Sequence, residues 1–290
     1  MTKQTKAEMA LIFITLCWGV SFYMVDVCLT ELDPLTLTGY RFLLAFFVAY
    51  IFSFPKVMKV SKSTVRYSVY AALALTVTYL GSTYGLLYTS LSNAGFLGAT
   101  TVVFTPLFVF IVYKKAPEKK LIAVILICIT GVALMTLNEQ LRPAPGDILC
   151  LGGAATYGVN LLIIEAAVKR DDVDAFQLGV YQLLWTGLLN MIFAFILEKP
   201  NLPESRTVWI FFFFLAIFCA GLAFILQAVA LRYTTASRAG VIFTLDPLFA
   251  GIVAYVFAGE VLLPRAYVGA VLLLTGLLVM ELDLKIVRRH

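Results

Sequence analysis

Stretches of about 20 consecutive apolar residues recur from one end of this 290-residue chain to the other, and a helix of that length spans the ~30 Å hydrocarbon layer of a bilayer. They run from Met9 to Cys28, Leu35 to Phe54, Arg66 to Leu87, Asn93 to Tyr113, Leu121 to Leu137, Gly146 to Val168, Ala175 to Leu197, Val208 to Leu231, Ala236 to Phe257 and Ala266 to Leu284. Each run is continuously apolar, without the alternation of barrel strands, so helices are expected. The residues between the runs form short turns with no room for a separate soluble domain. Composition leads to the same place. Hydrophobic residues make up 61% of the chain and charged residues 13%, about half the charge with which a soluble domain covers itself. The expected fold class is an all-α membrane protein of about ten transmembrane helices with the lipid bilayer as its solvent. The first run follows Lys3 and Lys6 like a signal peptide, but it contains Trp18 and Asp26 and ends in Cys28-Leu29-Thr30-Glu31 without a small-x-small cleavage pattern. It is read as the first membrane helix.

Successive loops alternate sides, and the cations divide between them. Of the 22 Lys and Arg residues, only Arg142, Lys199, Arg206 and Arg265 fall on one side and Arg41 within a helix; the remainder fall on the other side. By the positive-inside rule the rich side is cytoplasmic, which puts both termini inside a multi-pass protein of the cell (inner, cytoplasmic) membrane. The net charge of +5 reflects this bias and gives no reason to expect a nucleic-acid partner.

The chain also repeats itself. Tyr88-Thr89-Ser90-Leu91-Ser92-Asn93-Ala94-Gly95 has a counterpart in Tyr233-Thr234-Thr235-Ala236-Ser237-Arg238-Ala239-Gly240. Thr105-Pro106-Leu107-Phe108 matches Asp246-Pro247-Leu248-Phe249, and Ile129-Thr130-Gly131-Val132 matches Leu274-Thr275-Gly276-Leu277. The period is about 145 residues. The first half carries about four extra residues between the first two matches, close to one helical turn, which preserves the helix face. Five helices per unit is an odd number, so the second unit enters the membrane from the opposite side. The expected domains are therefore a five-helix repeat over 1–140 and an inverted one over 141–290, the architecture in which a site between two halves opens alternately to each side.

Several chemistries are excluded. Cys17, Cys28, Cys128, Cys150 and Cys219 lie in or at the edges of apolar runs and form no C-x-x-C pair, so buried thiols are expected rather than a disulfide or a metal site. The single histidine is His290 at the C-terminus, which removes any intramembrane histidine relay. No G-x-x-x-x-G-K-[ST] loop is present for ATP, and no cofactor is expected.

The first-helix Leu16-Cys17-Trp18-Gly19-Val20-Ser21-Phe22, the second-helix Tyr40-Arg41-Phe42, the Tyr88 to Gly95 segment, the two helix-interior prolines and Glu260 before a final helix together resemble the drug/metabolite transporter superfamily, in its ten-helix EamA-type branch. The resemblance covers almost the whole chain. It implies a central cavity lined by helices one to four and six to nine, with five and ten peripheral, and a substrate drawn from amino acids, nucleobases, sugars, drugs or other metabolites. One departure is that Tyr157-Gly158-Val159-Asn160 stands where the first half has Trp18-Gly19-Val20-Ser21.

An ionisable side chain at mid-membrane costs about 2.5 to 3.5 kcal/mol even on a lenient scale, so each one calls for a reason. Asp246 lies near the middle of the ninth helix just before Pro247, which lacks an N–H and frees the carbonyl of Phe243. Beside such a kink, shared in kind with Pro106 in the fourth helix, a carboxylate binds a cation or a substrate amine or takes up a proton, or else it caps the kink structurally. Arg41 has two readings, a pair with Asp26 at similar depth or a fork for a substrate carboxylate. Glu165 stands four residues before Lys169, a favourable helical pair.

Polar and aromatic stripes add further candidates: Trp18, Ser21 and Phe22 on the first helix, Thr76, Tyr79 and Thr83 on the third, Tyr157 and Asn160 on the sixth, and Gln177, Tyr181 and Trp185 on the seventh. Such walls with a few hydrogen-bonding groups describe a small-molecule pocket, and also plain interhelical packing. Gly81-Ser-Thr-Tyr-Gly85 reads as a close helix contact. The function expected is a secondary active transporter for small polar organic metabolites, amino acids or related amines, working by alternating access with Asp246 reading charge or carrying a proton. A passive uniporter or channel is the alternative. An intramembrane enzyme is disfavoured by the lack of a Ser/Lys or Asp/Asp constellation.

Overall fold

The computed structural model describes residues 2–89, 91–114, 116–136, 145–249, 252 and 264–286. Leu137 and Phe257 at two expected helix ends, together with Ser90, Lys115, Arg142, Glu260, Arg288, Arg289 and His290, lie outside the described residues. The described residues are helical, with no strand among them. Among the described residues, five helices are long and apolar enough to cross a membrane by length and composition: α1 (Lys3–Cys28), α2 (Pro34–Phe52), α8 (Pro145–Val168), α9 (Ala175–Leu197) and the rod Arg206–Leu231. Within that rod, α10 (Arg206–Phe214) passes through a π-helical stretch (Leu215–Leu222) into α11 (Ala223–Leu231). The others are α3 (Phe54–Val57), α4 (Lys62–Leu86), α5 (Leu91–Ala99), α6 (Thr101–Tyr113), α7 (Lys119–Thr136), α12 (Ala236–Phe243) and α13 (Pro264–Ile286).

Helix starts follow from capping. Ser61, Asp174, Ser205 and Thr235 each accept a hydrogen bond from the backbone N–H three residues on, satisfying donors that a helix N-terminus leaves free. Three starts borrow a carboxylate from elsewhere in the chain. Glu198, beyond α9, accepts from Leu35 and Thr36 N–H at 2.9 and 2.8 Å and caps α2; Glu31 accepts from Glu204 and Ser205 N–H ahead of α10; and Glu165 of α8 accepts from Ala236 N–H of α12 at 2.8 Å. Each stabilises a helix N-terminus with negative charge while tying two helices together.

With lipid outside, helices gain nothing from burying apolar faces, so close backbone approach decides the packing. The tightest seam joins α4 to α8. A Cβ on Gly81 would lie 2.5 Å from the Leu149 carbonyl oxygen, and one on Gly153 would lie 2.9 Å from that of Thr78, so the G-x-x-x-G at Gly81 and Gly85 serves helix contact. Elsewhere α2 packs on α9, α7 on α13, α6 on α12 and α1 on α11. Phe52 (85% exposed) and Phe195 (72%) show that the outer surface is apolar, as a lipid-facing one must be.

Two apolar segments are broken. The fourth expected span divides at Thr100 into α5 and α6, and the ninth stops at Phe243, turns through Thr244 and Leu245, and resumes helically at 246–249. The second break fits Pro247, whose missing N–H and bulky ring disfavour continuation past Phe243. The first does not sit where Pro106 predicts. Pro106 lies inside a continuous α6, and the break falls six residues earlier, where the Thr100 and Thr101 hydroxyls bond back to the carbonyls of Leu97 and Gly98 and compete with the helix ladder.

Candidate functional site

A cavity of about 180 Å³ lies among α1, α2, α4, α5, α6, α8, the π-helical stretch, α11 and the end of α12. Helical periodicity supplies its walls: Trp18, Ser21, Phe22 and Val25 on one face of α1, Leu75, Tyr79, Ser82 and Leu86 on α4, and Cys150, Gly153, Ala154 and Tyr157 on α8. Gly95 and Gly98 of α5 leave open space where other residues would project side chains.

The deep end is aromatic. Trp18 is the hub, with ring centroids 5.0 Å from Phe243, 5.5 Å from Phe224 and 6.0 Å from Tyr157, the last edge-on. Phe224 in turn sits 5.4 Å from Phe42 and 6.4 Å from Tyr79. Two hydrogen bonds fix this cluster. Trp18 Nε1 donates to the carbonyl of Cys219 at 2.8 Å, an acceptor within the π-helical stretch, where the usual ladder is widened. Tyr157 Oη donates to Gln227 Oε1 at 2.6 Å. Tyr157 and Trp18 therefore meet edge to face in the wall of the cavity.

An arginine and an aspartate line this space. Arg41 is buried at 6% exposure, its guanidinium carbon 4.5 Å from the Tyr79 ring centre and 5.4 Å from that of Phe42, and its Nε has no hydrogen-bond partner. Asp246 lies just past the break in the ninth apolar segment, and its Oδ1 is buried without a hydrogen-bond partner. Buried charged groups are normally paired. Here a guanidinium and an aspartate side chain border one aromatic-walled cavity, each with a polar atom left over. Such a surface can hold a molecule that carries both an anionic and a cationic group on an apolar body. Among the described residues, no group of three His, Cys, Asp or Glu is placed to hold a metal ion.

Other candidates fall elsewhere. Arg41 does not pair with Asp26, which is exposed and makes no ion pair with it. Glu165 does pair with Lys169, while its other oxygen caps α12. Asn160 is fully buried and its Nδ2 donates to the Ala71 carbonyl at 2.8 Å, fastening α8 to α4 away from the cavity. Tyr181 donates to the Val57 carbonyl at 2.9 Å and Gln177 to those of Lys56 and Lys59, so this stripe anchors the α3 turn. Trp185 is not among the cavity-lining residues, and neither is any other residue of α9. The seventh helix is thus not a cavity wall. Its inward faces are spent on α2, α4 and α11, with Gly187 against Leu43, Met191 against Gly39 and Gly179 against Ile225.

Cavity residues that the sequence did not single out as site candidates include Phe224, Phe243 as a ring, Ser82 and the Cys219 carbonyl; Gln227 supports it from behind. The only advance signal was Gln227, a polar residue in a run of aliphatic ones that needs a partner in lipid.

A sequence model of the EamA-like transporter family matches the chain twice, over residues 5–137 and 144–282. The chain belongs to the EamA-like transporter family and is a membrane transporter. An uncharacterized transporter of Archaeoglobus fulgidus is 27% identical over 97% of this chain and 87% of its own length. A protein of Salmonella typhimurium named as a probable amino-acid metabolite efflux pump is 24% identical over 92% of this chain and 91% of its own. A crystal structure at 16% identity superposes with a TM-score of 0.81 over 96% of this chain and 97% of the other, a likeness of fold.

Proposed function

We propose that this protein is a secondary active transporter of the cell membrane that moves small amine-bearing polar metabolites, amino acids among them, by alternating access between two inverted five-helix halves, 1–140 and 141–290. The observation that carries this reading is the cavity bordered by Arg41 and Asp246, each with a buried polar atom unpartnered, on aromatic walls. A zwitterion supplies a partner to each: its carboxylate to the guanidinium, its ammonium to the carboxylate. Asp246 then couples transport to a proton or reads the substrate's charge. The name of the Salmonella relative favours amino acids within this class.

Inversion draws support from the packing. If helices one to five correspond to six to ten, a two-fold axis in the membrane plane maps the pairs α2·α9, α6·α12 and α7·α13 onto themselves and exchanges α4·α8 with α1·α11. These are the contacts the fold makes. The two broken segments agree as well, since Thr100 follows Gly95 by about as many residues as Thr244 follows Gly240, and discontinuous helices at mid-membrane are a habit of such transporters.

The test is flux in liposomes. A coupled transporter accumulates labelled amino acid above its equilibrium level when a pH step is imposed, whereas a uniporter or channel only equilibrates it. Orientation is tested separately: a cysteine at Lys59 should react with impermeant reagent from the cytoplasmic side.

A further inference from the structure

α2 and α9 open on the same pattern. Asp33 and Asp174 stand at their N-caps, and eight residues further on come Arg41 and Gln182, within Tyr40-Arg41-Phe42-Leu43-Leu44 and Tyr181-Gln182-Leu183-Leu184. The two helices run antiparallel, Gly39 meeting Met191 and Leu43 meeting Gly187. Arg41 therefore lies toward the end away from the N-terminus, and Gln182 toward the end where Tyr181 bonds the Val57 carbonyl.

The two residues are placed differently in this conformation. Arg41 borders the aromatic cavity, whereas α9 contributes no residue to it. Gln182 is fully buried, and neither its Oε1 nor its Nε2 has a hydrogen-bond partner among the described residues. One and two turns further along α9, Thr186 Oγ1 and Asn190 Oδ1 are buried in the same condition. Packing does not ask for these groups, since an aliphatic side chain fills the space without leaving an amide unsatisfied. The cavity is also near. Leu75 and Phe224 line it and join Val180 and Leu183, in the same turn of α9 as Gln182, in one apolar cluster.

We infer that Gln182 is the substrate-binding counterpart of Arg41 in the opposite-facing state. The inference rests on the alternating access of two inverted halves proposed above. When the halves exchange conformations, α9 replaces α2 as a cavity wall, and the residue eight positions past its N-cap turns from the packed cluster to the cargo. Gln182 Nε2 then donates to the carboxylate that the Arg41 guanidinium holds in the state described here. A neutral amide holds a carboxylate about 10-fold less tightly than a charged, two-pronged donor, so cargo is gripped more weakly on the side of the N-terminus.

The test joins stability, sided uptake and accessibility in the full-length protein. Gln182→Met removes the amide at nearly constant volume. Because no internal partner is lost, the thermal midpoint of the empty protein should hold or rise, where a structural amide would make it fall. In sealed vesicles of known orientation, the half-saturating concentration of a labelled amino-acid mixture should rise about 10-fold on the N-terminal face and stay unchanged on the other. A fall in the midpoint, an unchanged value on the N-terminal face or an equal rise on both faces would overturn the inference. Gln182→Cys and Ser82→Cys, each in a background without the five native cysteines, are then treated with an impermeant thiol reagent, with and without Arg238→Gln, which takes the cation from Glu8. Both should gain reactivity from the N-terminal side. If Ser82→Cys gains it and Gln182→Cys does not, alternating access stands and the role of Gln182 falls; if Ser82→Cys never changes sides, the reading beneath the inference falls with it.

Discussion

The two ends of this bundle solve the problem of charge in lipid in opposite ways. At the end bearing the N-terminus, the buried carboxylates of Glu8 and Glu165 each have a basic side chain as ion-pair partner. Glu8, only 2% exposed, takes Arg238 at 3.1 Å, Thr234 at 3.3 Å and Gln4 at 2.9 Å on Oε1, with Oε2 left without a hydrogen-bond partner, and Glu165 takes Lys169 and the Ala236 N–H. Beneath them Leu11, Ile14, Ala71, Val102, Leu161 and Ile164 close into one apolar core. Toward the other end the helices part around the aromatic cavity, where Arg41 and Asp246 border open space and neither makes an ion pair among the described residues. The difference teaches that ionisable groups at one end are matched within the protein, while at the other they border an open cavity.

The comparison breaks first at Asp246. If its carboxylate serves a ligand, Asp246→Asn should lower uptake of an amine-bearing substrate by about 100-fold, the worth of a buried charge-assisted hydrogen bond, while the thermal midpoint of the empty protein holds or rises because no internal partner is lost. A large fall in that midpoint with uptake retained would make Asp246 a structural residue. At the sealed end, Arg238→Gln leaves the Glu8 carboxylate short of its cation. Since Arg238 is 24% exposed, the loss should be somewhat below that of a fully buried pair, about 2 kcal/mol, and should favour opening of that end about 30-fold. Reactivity of a cysteine placed at Leu11 reports the shift.

Arg41 offers a finer contrast. Arg41→Lys keeps the charge but loses the planar fork, so uptake of amino acids should fall about 10-fold more than that of amines lacking a carboxylate. Equal losses would return Arg41 to a packing role on Tyr79. The smallest effect is expected in the loop before α9. There Arg170 and Ser63 hold the Asp172 carboxyl down at about 2, below its ordinary 3.8. A lowered value means the contribution is fully present above about pH 4 and disappears as pH falls through about 2. Asp172 is solvent-exposed, so Asp172→Asn should barely change unfolding at pH 7 and should slightly flatten its acid limb.

Helical architecture was open to reading because lipid imposes a length and a continuous apolarity that no other solvent demands; Ala175–Leu197 emerges with the ends expected of it. Side-chain destinations were less open. The stripes of Trp18 and Phe22 and of Tyr79 reach the cavity, and those of Gln177, Tyr181 and Trp185 do not, although both kinds share the same i, i+3, i+4 spacing. Periodicity places residues on one face of a helix, and only the neighbouring helix decides whether that face meets a cavity, a turn or another backbone. For the same reason Phe224 and Phe243 carried no mark of the site in their surroundings, while Asp246 and Arg41 did, because a charge in hydrocarbon demands an explanation wherever it lies.

The account turns on whether the cavity opens to one side of the membrane at a time. In a protein whose five buried cysteines have been replaced, a single cysteine at Ser82 is exposed to an impermeant thiol reagent from either side of a sealed vesicle. The prediction is labelling from the side away from the N-terminus in the unchanged background, and labelling from the N-terminal side once Arg238→Gln loosens the seal. Labelling at equal rates from both sides in the unchanged background would describe a continuous pore and contradict alternating access.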